Sequence, residues 1–240
     1  MVELKKMTSV TGAAVKKYLS EFAGTFGFVF IGCGAVVFAA PFIGYLGIAL
    51  AFGAAYGAMN FTFSGSHLNP AVTVAAAVCG RMRSKNVWLT LAETAGFILM
   101  QTAGACAAVA LIYFVYSGKN GYVYQGSPDA NIAGRYALSA VFWLEVVLNF
   151  LFVCVFLGTD EHKGRQPAAC ALFICAAYLL SYPVTKGAMN PARTVASALF
   201  AESDAVAQLP VFCGAAFVAA VAAGLLHLPF FKRAKDISAS

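Results

Sequence analysis

The sequence predicts an all-α membrane protein with six spanning helices and two short helices that enter the bilayer without crossing it. Three observations carry this prediction. Charged residues make up 11% of the chain and hydrophobic residues 61%, whereas a soluble domain carries about 25% charged residues. The charges are clustered, with no Asp, Glu, Lys or Arg in 22–80, 94–118, 166–185 or 205–231. The tripeptide Asn-Pro-Ala occurs twice, at Asn69-Pro70-Ala71 and Asn190-Pro191-Ala192, each time opening an apolar piece too short to span.

A crossing needs about 20 apolar residues, and in hydrocarbon the backbone must satisfy its own polar groups, so each crossing is a helix. The first is expected at 18–39, behind Lys5, Lys6, Lys16 and Lys17. A basic start before an apolar run also describes a secretory signal, with Phe38-Ala39-Ala40 as its cleavage site. The run is longer than a signal core and more membrane sequence follows, so it is read as a span. The second span is expected at 43–63. Then come the short piece 70–80 and the third span, 87–115. The loop 116–136 is rich in turn formers: Gly118, Gly121, Gly126, Ser127-Pro128-Asp129 and Gly134. Spans at 137–158 and 166–184, the short piece 191–200 and a last span at 207–230 complete the chain.

Basic residues give the orientation. Twelve of the 16 Lys and Arg fall on the side that also holds both termini. By the positive-inside rule the termini are cytoplasmic and the loop 116–136 is external. The same rule accounts for the net charge of +6, so nucleic acid is not an expected partner. The seven cysteines lie in or beside apolar segments without a CxxC pair; they read as small buried hydrophobes, not as a disulfide framework or metal site.

An internal repeat organises these pieces. Glu21-Phe-Ala-Gly-Thr25-Phe26 and Glu145-Val-Val-Leu-Asn149-Phe150 share the pattern E-x-x-x-polar-F, and each precedes an Asn-Pro-Ala site by a similar interval. Each half, about 18–115 and 137–230, holds three spans and one short piece. An odd number of spans sends the second half into the membrane from the opposite side, which gives an inverted repeat. Asn favours the helix N-cap and Pro the first helical position. Two half-helices from opposite faces therefore meet near the midplane, N-terminus to N-terminus. The Asn oxygens cap backbone N–H groups, leaving the amide NH2 as a donor toward any lumen. Each helix end carries roughly half a positive charge, which orients water and disfavours cations.

His67-Leu-Asn-Pro-Ala-Val-Thr73 and Met189-Asn-Pro-Ala-Arg193 resemble the paired signatures of the aquaporin (major intrinsic protein) family, and Glu21 to Phe26 resembles its first-helix motif. The resemblance covers about 18–228. It implies an aquaporin-like fold, one channel domain over 1–240, a homotetramer in the cell membrane, and passive conduction of water. It makes Arg193 the charged member of an outer filter, a role that also suits a lone Arg at membrane depth. It adds Tyr178, where water channels usually carry His, and Gly187. The second-helix filter position is either Phe52, by local sequence, or Ala49, by distance from Asn69; the loop before Asn69 is shortened. Glu21, His67, Gln101 and Glu145 are read as bracing groups for the loops ahead of the half-helices. Thr194 and Ala198, with Phe212, favour water over glycerol. Tyr178 replaces the usual His, Cys213 replaces the more usual Trp, and Gly187 leaves room, so glycerol or another small neutral solute is the alternative permeant.

Two other classes are weaker. A secondary transporter needs ion-coupling groups at the midplane, and only the two glutamates are candidates. An enzyme needs a constellation that His67, His162 and His227, far apart in sequence, do not form. No cofactor and no metal are expected. Tyr18, Ser20 and the charged loop 160–165 are read as ordinary surface.

Overall fold

A computed structural model describes residues 2–82, 86–121, 129–159, 164–201 and 203–238. The middle of the long loop, His162 and the basic residues 83, 85 and 163 lie outside these. The described residues form helices and connecting turns. These are α1 (Val2–Gly34), α2 (Ala40–Thr62), α3 (Pro70–Val78), α4 (Val87–Ser117), α5 (Leu138–Thr159), α6 (Gln166–Thr185), α7 (Pro191–Leu199) and α8 (Ser203–Ser238).

The first two spans differ from expectation in how they join. Instead of a loop, a π-helical turn at Ala35–Ala39 links α1 to α2. Val15–Thr62 forms a 48-residue apolar run, about 72 Å if straight and more than twice the hydrocarbon thickness. It is broken at Gly44 (φ 58°, ψ −168°), and α1 packs back on α2, so the run makes two crossings. Four further helices are long and apolar enough to cross: Val87–Ser117, Leu138–Thr159, Gln166–Thr185 and Asp204–His227. α3 and α7 have nine residues each, well short of a span.

The packing shows the pseudosymmetry. α1 packs on α4 and α2, and α5 packs on α8 and α6. α3 lies against α8 and α4, α7 against α4 and α8, and α2 and α6 against each other. Exchanging α1–α4 for α5–α8 turns each of these pairings into another of them, and the α2–α6 pairing into itself. Small residues allow close crossings: a Cβ at Gly104 would stand 2.3 Å from the Phe22 carbonyl oxygen on α1. Large apolar side chains such as Trp88, Phe114, Trp143 and Leu172 point outward, which suits lipid. Glu21, Gln101, Glu145 and Arg193 are fully buried. A bundle with charged groups inside and apolar groups outside is a membrane protein.

Candidate functional site

The two short helices meet at their N-termini. Asn69 caps α3, its Oδ1 accepting from Ala71 N at 2.8 Å. Asn190 caps α7, its Oδ1 accepting from Ala192 N at 3.0 Å and Arg193 N at 3.4 Å. The amides then cross between halves. Asn69 Nδ2 donates to Met189 O at 2.9 Å, and Asn190 Nδ2 donates to Leu68 O at 2.7 Å. This modifies the sequence expectation of a free donor: one of the two hydrogens on each amide is committed to the opposite loop. The cause is local. Leu68 (φ 55°) and Met189 (φ 38°) hold the left-handed conformation, uncommon for such side chains, and their carbonyls accept from the facing Asn.

Each loop is pinned from behind by a buried glutamate. Glu21 accepts from His67 N at 2.7 Å, Leu68 N at 2.9 Å and Gln101 Nε2 at 2.8 Å. Glu145 accepts from Met189 N at 3.0 Å and Thr185 Oγ1 at 2.6 Å. Gln101 also donates to Thr73 Oγ1 at 2.9 Å, which lies 3.0 Å from His67 Nδ1. The His67 ring packs edge-on against Phe97 and Phe156.

A constriction lies beside α7. The rings of Phe52 and Tyr178 are 4.2 Å apart between centroids, and Arg193 Cζ sits 5.4 Å from the Phe52 centroid, within cation–π range. Gly187 (φ 66°) is pressed against Tyr178, where an added Cβ would lie 2.6 Å from the ring. Phe52 is therefore the second-helix residue whose ring reaches Tyr178 and Arg193; Ala49 is buried a turn earlier. Arg193 Nη1 donates to Asn131 Oδ1, and Nη2 donates to Asp129 O at 2.8 Å.

Residues 6–227 match the sequence profile of the family described as Major intrinsic protein. The chain is 38% identical over 226 residues to Aquaporin Z of Rhodopseudomonas palustris, covering 88% of this chain and 91% of that protein. It is 36% identical over 228 residues to Aquaporin Z of Bradyrhizobium diazoefficiens, covering 89% and 92%. The chain belongs to the major intrinsic protein family. As a member it is a multi-pass membrane channel protein, not an enzyme. The X-ray structure of the aquaglyceroporin from Plasmodium falciparum superposes with a TM-score of 0.75 at 20% identity, covering 93% of this chain and 99% of that one; it speaks for the fold alone.

Within this major intrinsic protein, Tyr178, Asn69 and Asn190 line one small cavity, with Phe28, Tyr56, Phe152, Ile174 and Met189. About 10 Å³ of it admits a water-sized body, on the order of one water molecule. Phe52, Tyr178 and Arg193 are at most 1% exposed. On the Lys-rich side a hollow of about 600 Å³ reaches Glu21 and His67. Lys186, just past α6, has its pKa lowered by burial and by Arg193, with Asp129 opposing.

Sequence reading missed several polar partners. Thr73 lies one turn beyond Asn69, a spacing that marks a shared helix face. Thr185 carries no such mark. Asp129 and Asn131 sit 64 and 62 residues before Arg193, in a loop read only for its turns.

Proposed function

We propose that this chain is a passive transmembrane channel for water, a single channel domain over 1–240 with repeats at about 18–115 and 137–230. The observation that carries the reading is the reciprocal Asn69–Asn190 junction, with both asparagines lining a cavity of one-water size. Each Asn amide keeps a second N–H for solvent, and two positive helix ends at the same point disfavour cations. Phe52, Tyr178, Gly187 and Arg193 form the filter. The one-water size of the cavity beside the asparagines favours water over glycerol. Glu21, His67, Gln101 and Glu145 hold the half-helices in place. The protein works as a homotetramer in the cell membrane with both termini in the cytoplasm. Stopped-flow light scattering of proteoliposomes tests the reading. A sucrose step is expected to give fast, nonsaturating shrinkage above empty vesicles, and a glycerol step little re-swelling. Water flux equal to that of empty vesicles overturns the water channel; fast re-swelling transfers the assignment to a small-solute facilitator.

A further inference from the structure

The position of the Arg193 guanidinium is set from outside its own helix. Its two terminal nitrogens donate to Asn131 Oδ1 and Asp129 O, both on the long loop, whereas Nε has no acceptor among the described residues. The loop segment is itself tied down. Asn131 Nδ2 donates to Thr185 O at 2.7 Å, at the end of α6. Thr194 Oγ1 donates to Asn131 Oδ1 at 3.0 Å, and Ser197 Oγ donates to Asp129 Oδ2 at 2.6 Å. Positions 193, 194 and 197 of α7 thus all bond the same three-residue stretch of loop. Asp129, Asn131, Thr194 and Ser197 are all nearly or fully buried. External loops ordinarily run over the surface, because buried backbone polar groups need partners. This one is drawn inside and satisfied by α6 and α7.

We propose that Asn131 is a positioning residue that fixes the Arg193 guanidinium and thereby sets the width and charge placement of the filter. The inference rests on the reading of Arg193 as a filter residue. An Arg side chain has about 2 kcal/mol of rotamer entropy, so it stays in one place only when its planar fork is held. Asn131 suits the task because one amide does two jobs. Its oxygen takes the guanidinium and the Thr194 hydroxyl, and its NH2 anchors to the backbone of α6. Without the oxygen, Nη1 loses its buried acceptor, and a charged donor left unpaired costs more than an ordinary one. The guanidinium then shifts, and the gap in front of Phe52 and Tyr178 changes.

The test compares wild type, Asn131→Ala, Asn131→Asp, Thr194→Val and Arg193→Ala in proteoliposomes. Two quantities are read: the ratio of glycerol to water permeability, and the proton leak reported by an internal pH dye. Asn131→Ala is expected to raise both several-fold, in the direction of Arg193→Ala. Asn131→Asp keeps an acceptor for the guanidinium but loses the donor to Thr185 O, and is expected to give a smaller rise than Asn131→Ala. Thr194→Val removes one bond to the Asn131 oxygen and is expected to give a smaller rise; it decides the matter if Asn131→Ala fails to assemble. Assembled Asn131→Ala with wild-type ratio and leak, beside an altered Arg193→Ala, overturns the positioning role. Arg193→Ala with unchanged ratio and leak overturns the filter reading beneath it.

Discussion

Tyr178 is the residue at which the site departs most from a smooth polar wall. Its ring fills the space that Gly187 leaves open and stacks obliquely on Phe52. Its hydroxyl is buried and has no partner among the described residues, and Tyr178 lines the cavity shared by the two asparagines. A buried hydroxyl without a bond costs about 1–3 kcal/mol, and a passing water removes that cost. A bonding station for water passing the Asn pair is the role this hydroxyl suits. Tyr178→Phe keeps the ring and deletes the station. A net loss of about 1 kcal/mol per hydrogen bond predicts water permeability about fivefold lower with glycerol still excluded. Stopped-flow rates at equal reconstituted protein check this; an unchanged rate removes the hydroxyl from the conduction path.

At the scale of elements, the half-helices are too short to be held by their own hydrogen bonds, since helices below about 12 residues are marginal alone. Their caps, the crossed Asn bonds and the two glutamates supply the missing constraint. Glu21 and Glu145 are at equivalent places in the repeat and do equivalent work: each accepts backbone N–H from the residue just before the capping Asn, Leu68 and Met189 respectively. A carboxylate suits this because it has acceptors on both oxygens and donates nothing. Glu21→Gln places an NH2 where an acceptor stood, facing the N–H of His67 or Leu68. One buried donor left unsatisfied predicts a loss of about 1–3 kcal/mol. Thermal unfolding followed by fluorescence-detected size exclusion is expected to show a lower midpoint. A proton relay at Glu21 would instead lower proton flux and leave the midpoint in place.

At the scale of the whole molecule, the bundle is an inside-out solution to burial. Apolar residues face lipid, and the charged and amide groups gather along the axis where protein alone must satisfy them. For orientation, the asymmetric placement of 16 basic residues predicts cytoplasmic termini. On that prediction a C-terminal fluorescent protein fusion is expected to glow in the cytoplasm of bacterial cells, and a C-terminal alkaline phosphatase fusion to be inactive. The reverse pattern would invert the channel. The spans were legible from the gaps between charges, and the half-helices from Asn-Pro-Ala. The Ala35–Ala39 turn was not, because Ala-Val-Val-Phe-Ala carries no breaker and any helix type accommodates it.

The sequence by itself determined that this chain crosses a membrane, that its halves are inverted copies, and that asparagines 69 and 190 cap two short facing helices. These follow from local rules: hydropathy over a span, propensity at a cap, recurrence of a pattern. Only the tertiary structure decided that each asparagine bonds the opposite loop, that Phe52 reaches Tyr178 and Arg193, and that residues 129 and 131 grip the arginine. Such contacts join residues more than 60 positions apart. Their partners are backbone carbonyls that every residue possesses, or single side chains in a loop without periodicity, so nothing in the order of residues marks them.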